Sequence, residues 1–402
     1  MSTPSQRILF LVCVLALALA TGAVATADVV VSEDEDEQKP AGLIEVQNSS
    51  NYISATADNV TQETHTSVGI DVSGAVESDA LALQGAHERI ALEAALESPE
   101  DHTDLDRETL EVLEADTESL ERQQQQLFAD YSDGDVDTPT LVREVVRLES
   151  TAEQYRQVRE TMLQEGVSSG LSTRYSNLAG ETPLIPSPMG STLEAGLAGE
   201  GDVPLYVQGG SDSLVLASVT PDGSYLREAV LHSNRAPDEP PVFGAGDRSE
   251  ADDAFDRAEV LYPWASAERF RPDLRGFGNN TVYRFSSDHS HGVTHSYLDG
   301  ATTNPFYEIH EKNALAVPVA DFSQRTDNNL RLTVESLAPT GPMLIDIRET
   351  GAGGEDIKVY VGGSHVDTLE GSGDLWSVQP LGSFEVTAEN EDGEDVSVFI
   401  IP

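Results

Sequence analysis

Apolar positions change their period several times along the 402 residues, and each change marks a division of the chain. Between 78 and 166 the period is helical. Leu113, Leu120, Leu127 and Tyr131 form one seam. Leu141, Val145, Leu148, Ala152, Tyr155 and Met162 form another at alternating steps of four and three, interrupted at Arg159. This is the 3.5-residue repeat of a packed coiled-coil seam. The pattern predicts a first helix from Ser78 or Asp79 to Ser98-Pro99 and a second from Thr103 to about Tyr131. A third is capped by Thr138 with Pro139 in its first turn. The connection 130–137 is short and turn-forming, which favours antiparallel neighbours. The expectation is an antiparallel helical hairpin that the first helix completes as a three-helix bundle.

From 202 to 320 short apolar runs read as strands, helix, then strands. Leu205-Tyr-Val, Leu214–Val219 and Tyr225–Leu231 are strand-like, with Asp222-Gly223 as a tight turn. Ser249 caps a helix carrying Ala251, Ala254, Phe255, Ala258 and Tyr262 on one face, and Pro263 ends it. Thr281–Phe285 and Phe306–Ile309 flank a His-rich segment. One sheet covered on one side by one helix satisfies that order. From 321 to 402 strict alternation takes over, as in Leu330/Leu332/Val334, Ile357/Val359/Val361 and Phe384/Val386/Ala388. About seven short strands separated by glycine-rich turns predict a small β-sandwich. The fold class is therefore multidomain α+β: helical bundle, small α+β domain, C-terminal β-sandwich.

Three stretches lack such periodicity. Residues 1–27 have a polar start with Arg7, an apolar run from Ile8 to Ala20 and a small-residue end at Ala25-Thr26-Ala27. That is the layout of a secretory signal peptide with an A-x-A cleavage site before Asp28. The lone cysteine, Cys13, lies inside that run, so an exported chain loses disulfides, thiolate metal sites and cysteine nucleophiles together. Residues 28–77 open on Ser32-Glu-Asp-Glu-Asp-Glu-Gln38 and read as acidic and partly disordered. Residues 167–201, rich in Gly, Ser, Pro and Thr, read as a linker.

Composition changes the picture of the solvent. Asp and Glu total 71 against 23 Lys and Arg, a net charge of −48. At molar salt the Debye length falls to about 3 Å and the self-repulsion is screened, which points to a halophile. The same acidity repels nucleic acid and anionic membrane surfaces, and no stretch after the leader is long enough to span a membrane. The sequons at Asn48, Asn59 and Asn279 agree with export. The expected location is extracellular or at the cell surface, reached by the general secretory route, with a cell-surface protein as the partner class; ligand and oligomeric state stay open.

Two stretches, Asn48-Ser-Ser-Asn-Tyr-Ile with Gly69-Ile-Asp-Val-Ser and Ser296-Tyr-Leu-Asp-Gly-Ala-Thr-Thr-Asn-Pro-Phe-Tyr-Glu, resemble haloarchaeal secreted proteins of unknown function. The second is also similar to the strand–Asp-Gly–strand element of PepSY-like domains. At the C-terminus, Val359-Tyr-Val-Gly-Gly-Ser and Gly373-Asp-Leu-Trp-Ser-Val-Gln-Pro-Leu-Gly-Ser-Phe resemble transthyretin-like, carboxypeptidase-regulatory-like sandwich modules. That resemblance implies a non-catalytic accessory.

One dense constellation carries chemistry: Asp288-His-Ser-His-Gly-Val-Thr-His295. Alternate strand residues share a face, so His289 and His291 with His295 are a candidate three-histidine site for a divalent metal with an open water position. The competing reading is a solvated polar turn. The acidic turn Asp130–Asp137 fails the EF-hand pattern, because alignment on Gly134 puts Ala129 at the first ligand position. No nucleophile elbow, phosphate loop or dinucleotide fingerprint occurs, so no catalytic or cofactor-binding residue is assigned. The primary expectation is a secreted, non-catalytic binding or scaffolding module. A metal-dependent hydrolase at the histidine cluster and a regulator of an extracellular protease are the alternatives.

Overall fold

The computed structural model describes residue 53 and residues 60–97, 102–244, 249–263, 272–277, 281–319, 321–336, 338–350, 354 and 356–401. The leader, the acidic run and the asparagines of the three sequons, Asn48, Asn59 and Asn279, lie outside them.

The centre is one antiparallel sheet of eight strands in the order β1-β2-β3-β4-β8-β7-β6-β5. Its strands are β1 (Gln62–Val68), β2 (Val203–Gly210), β3 (Ser213–Val219), β4 (Ser224–Leu231), β5 (Asp273–Phe277), β6 (Val282–His289), β7 (Gly292–Asp299) and β8 (Pro305–Asn313). Strand β1 comes from the segment read as partly disordered. It pairs in full register with β2, from Gln62 opposite Gly209 to Val68 opposite Val203. The His-rich segment is not a long turn. It continues both strands of the β6–β7 hairpin, with His289 paired to Gly292.

Helices cover one face: α1 (Val72–Leu96), α2 (Thr103–Asp133), α3 (Thr138–Glu165), α4 (Ser169–Asn177) and α5 (Pro188–Leu197). The α1 helix starts earlier than its periodicity suggests, because the Asp71 carboxylate accepts from the Ser73 and Gly74 amides and caps it there. Asp137, one residue before the expected cap, accepts from the Thr140 amide and starts α3. The α2 seam Leu113, Leu120, Leu127 and Tyr131 is buried, as are Leu141, Leu148, Ala152, Tyr155 and Met162 of α3. These join Leu205, Val207, Leu214, Leu216, Val230 and Ile309 of the sheet in one core.

The stretch 167–201 is not a linker. Helices α4 and α5 and two short 3₁₀ turns fold within it, and Tyr175, Leu184, Ile185, Met189, Leu193 and Leu197 are buried in the same core. Its Gly, Ser and Pro residues serve as caps and close-packing positions. Ser187 caps α5 by accepting from the Gly190 amide at 2.8 Å. Gly196 lies so near β1 and β2 that a Cβ there would stand 2.9 Å from Val203.

The other face is covered too, against the expectation of a single covering helix. The α6 helix (Glu250–Leu261), capped by Ser249, packs Ala254, Ala258 and Leu261 with Tyr262 against Tyr283, Phe285 and Leu298. The C-terminal domain covers Tyr206, Ala217, Val219 and Tyr225 with Val378 and Trp376. That domain has eight strands in two four-stranded sheets, β14-β11-β10-β9 and β13-β12-β15-β16. They are β9 (Asp321–Asp327), β10 (Leu330–Ser336), β11 (Pro342–Glu349), β12 (Asp356–Val361), β13 (Ser364–Glu370), β14 (Gly373–Val378), β15 (Phe384–Glu389) and β16 (Asp395–Ile400). Their alternating apolar residues meet in one core, the β-sandwich the alternation predicts. Strand β9 escaped the pattern because it is an exposed edge with polar residues on both sides.

Candidate functional site

Strand parity decides the histidine cluster. Ser287 and His289 of β6 share a face with Thr294, whereas His295 pairs with Ser286 and lies on the opposite face. There its Nδ1 is 2.9 Å from the Ser286 hydroxyl. The expected His289/His291/His295 metal site therefore does not assemble. Among the described residues no three His, Cys, Asp or Glu side chains form a metal-binding group.

His289 instead begins a buried hydrogen-bonded ladder across the sheet. The His291 amide donates to His289 Nδ1 at 3.2 Å. That leaves Nε2–H to donate to Thr294 Oγ1 at 3.2 Å. The Thr294 hydroxyl lies 3.0 Å from His310 Nδ1, and His310 Nε2 faces Glu308 at 3.5 Å. The amide contact sets His289 as the neutral Nε2–H tautomer, because a ring nitrogen that accepts leaves the other to donate. Burial, with Lys312 beside both, pushes His289 down to about 3 and His310 to about 4.

Glu308 and Arg227 are wholly buried, 3.6 Å apart on neighbouring strands. Burial alone would raise the Glu308 carboxyl, but His310, Arg227 and the Tyr262 hydroxyl together hold it below the usual carboxylate range. The Ile53 amide donates to Glu308 at 2.7 Å, and the Ile53 carbonyl accepts from Arg227. Arg227 Nε donates to the Thr340 hydroxyl at 3.2 Å, and Tyr225 donates to the Thr340 carbonyl at 2.6 Å. Thr340 belongs to the turn between β10 and β11. The ladder thus ties the β6–β7 turn, the central strands, the N-terminal segment and the C-terminal domain together. Arg227 Nη1 lies 3.6 Å from Glu308, an ion pair without a hydrogen bond of its own.

On the helical face, Glu228 accepts from the Met189 amide at 2.6 Å and from the Ser187 and Tyr307 hydroxyls at 2.8 Å each. Despite three donors, burial pushes its carboxyl up to about 7. It borders a cavity of about 60 Å³ lined largely by Leu120, Phe128, Leu148, Leu214 and Leu216. That space admits a few waters and no substrate.

The feature that faces outward is α1. It turns its small residues inward. Ser78 reaches Ser150 at 3.1 Å, and Gly85 lies so close to Gln154 that a Cβ would fall 2.4 Å from Gln154 Cγ. Gln154 Nε2 donates to the Leu81 carbonyl at 2.6 Å, locking α1 to α3. Four large apolar side chains point to solvent, Val72, Val76, Leu83 and Ile90 being 68, 62, 73 and 61% exposed, while Leu92 is buried in the core. Val76, Leu83 and Ile90 recur every seven residues, with exposed Ala80, His87 and Ala94 between them. This is a coiled-coil stripe with no covering element among the described residues.

Three family models match the chain in succession. Residues 1–200 match a domain of unknown function (DUF7096), residues 205–318 a family of unknown function (DUF7094), and residues 322–398 an archaeal fibronectin-III type-like domain. No curated protein and no solved structure matches it. The C-terminal match is to a fibronectin-III type rather than the transthyretin-like modules, with which it shares the strand-and-glycine-turn rhythm of small sandwiches. The first two matched regions do not fold apart: β1 lies in one, β2 in the other, and they pair along their length. Among the described residues no helix is long and apolar enough to cross a membrane.

Sequence reasoning missed Arg227, Glu228, Glu308, His310 and Lys312. Charged residues at alternate strand positions read as a solvent face; the second covering layer buries Arg227, Glu308, His310 and Lys312, and the helical layer buries Glu228. The α1 stripe had a signal in the seven-residue spacing of Val76, Leu83 and Ile90 opposite Gly74, Ser78 and Gly85.

Proposed function

We propose that the chain is an exported, halophile-adapted, non-catalytic binding or scaffolding module of the cell exterior, with the helical layer as its interaction surface. The outward apolar stripe of α1 carries this reading, because monomeric proteins rarely leave a continuous apolar ridge in water. The secretory layout of residues 1–27, the sequons and the net charge of −48 support the location. The archaeal fibronectin-III type-like match supports a modular accessory.

The test is a photo-cross-linking side chain placed at Leu83 and, as control, at Arg122, which is exposed on α2, in cells kept in their native brine. A polypeptide joined from position 83 and not from 122 supports the reading. Absence of any adduct from 83, with the protein present at the surface, overturns it.

A further inference from the structure

We infer that Glu88 of α1 and Asp116 of α2 together bind one hydrated divalent cation of the magnesium class, with the Tyr155 hydroxyl of α3 bonded to a water of its shell.

Both acids stand where packing residues belong. On α1 the inward positions run Ser78, Leu81, Gly85, Glu88 and Leu92 at steps of three and four. Gly85 lies against Gln154, and the Leu81 carbonyl accepts from Gln154. Glu88, one turn further along α1, therefore reaches the level of Tyr155, the residue after Gln154. On α2, Asp116 is three residues from Leu113 and four from Leu120, both buried in the core that Tyr155 shares. A carboxylate at an inward position is costly unless something neutralises it. Among the described residues no Lys or Arg pairs with either acid. Glu88 has one hydrogen-bond partner, Gln84 Nε2 at 3.0 Å.

Tyr155 is the third member. It is 2% exposed, and its hydroxyl has no hydrogen-bond partner among the described residues. An unbonded hydroxyl at that depth marks a place where water or an ion completes the structure. The electrostatics agree that the three groups face one another. Burial, with the charge of Glu88, pushes Asp116 up to about 6 from 3.8. Burial raises Glu88, and burial with the charges of Asp116 and Glu88 raises the Tyr155 hydroxyl. Two further charged groups are near. Arg147 faces the hydroxyl but is held by Glu144 at 2.7 Å and Gln123 at 3.3 Å, and His87 lies beside Glu88.

The donor set selects the ion. Two carboxylates balance a divalent charge, and one potassium ion balances half of it. Calcium takes about six to eight oxygens, whereas magnesium uses one or two carboxylates and keeps several waters. Two acids on separate helices fit the second description. The ion would join α1 to α2, which both pack on α3. The site lies on the inward side of α1, away from the exposed stripe, and neither feature depends on the other.

Thermal unfolding of the purified full-length protein in molar KCl, with magnesium chloride set against EDTA, tests the site. The native midpoint should rise with magnesium and saturate. Asp116→Asn and Glu88→Gln should each raise the half-saturating concentration at least about tenfold, the loss of one charged ligand. In EDTA both variants should unfold no lower than the native protein, because each removes a like-charge contact. A lost response is then not a lost fold. Glu108→Gln, at an exposed position of α2, should keep the native response. Equilibrium dialysis should find about one more magnesium ion per chain on the native protein than on Asp116→Asn.

The native protein alone carries a second test. A proton on Asp116 competes with the metal, so the magnesium response should be full at about pH 8 and fall away by about pH 5. A midpoint indifferent to magnesium overturns the inference. So does an equal response in the native protein, Asp116→Asn and Glu108→Gln, which marks screening of the whole surface. A response unchanged between those two pH values overturns it as well.

Discussion

Arg227 and Glu308 face each other across neighbouring strands, fully buried and 3.6 Å apart, with the backbone of Ile53 bonded to both. Removing one member of such a pair strands the other charge and costs about 3–5 kcal/mol. Arg227→Met and Glu308→Leu should each lower stability by that order in molar KCl. The double variant should lose much less than the sum, because neither charge remains. It should still fall short of the native protein, since Ile53 loses both partners. Additive losses in urea unfolding would show that the two side chains do not act as a pair.

Lys312 lies on the same buried face. Burial, reinforced by the Arg227 guanidinium, pushes its amine down to about 7 from the ordinary 10.5. Between these values the unfolded chain holds a proton that the folded chain does not. Stability therefore rises as pH increases through that window and is lost as pH falls toward 7. Unfolding midpoints measured from pH 7 to about 9.5, below the titration of ordinary tyrosines, should climb in the native protein. Lys312→Met should flatten that climb, and an identical slope in both would refute the buried amine.

Glu228, on the opposite face, runs the other way. Its carboxyl is raised from 4.5 to about 7, so the folded state binds the extra proton, and stability falls as pH rises between those values. Glu228→Gln keeps the neutral shape and should be more stable than the native protein at neutral pH, with the gap closing as pH drops toward 4.5. Equal stability of the two proteins at neutral pH would contradict the assignment.

How much of this was legible depends on whether local pattern and tertiary setting agree. The α3 seam from Leu141 to Met162 and the alternation at Leu330, Leu332 and Val334 specify their elements outright, because burial there has the period of the element itself. The 167–201 stretch hid its helices because Tyr175, Leu184, Met189 and Leu193 are spaced by several short turns and not by one period. The histidines misled for a different reason. His289, His291 and His295 are close in sequence, yet the strand reverses between His289 and Gly292, and parity then puts His295 across the sheet. The buried ladder left no local trace, since what makes His310 and Glu308 interior is Tyr262, Ile53 and Thr340, all distant in the chain.

Gly292 is where that reversal happens. Its φ of 148° is open to glycine and rarely to other residues. An added Cβ would lie 2.0 Å from the Glu311 carbonyl oxygen on β8. A backbone atom cannot yield as a side-chain tip can, so Gly292→Ala should force β7 and β8 apart at this end. A loss of about 1–3 kcal/mol or more is expected, along with faster amide exchange at Lys312 and Asn313. Native stability in Gly292→Ala would mean the turn is freer than its geometry states.

The net charge of −48 makes the strongest demand on conditions. With 71 Asp and Glu against 23 Lys and Arg, most carboxylates have no basic partner, and exposed ion pairs within one helix, such as Arg107–Asp104 and Arg122–Glu118, are worth only tenths of a kcal/mol. Repulsion among the remaining carboxylates is therefore held off by the solvent, over a Debye length of about 10 Å at 0.1 M and about 3 Å at 1 M. The folded state should lose stability steeply as salt is diluted across that range. Replacing exposed acids that face one another across a helix turn, such as Glu108 and Glu111, with glutamine should shift the unfolding midpoint to lower salt. A thermal midpoint that stays constant between the two salt concentrations would remove the halophilic reading.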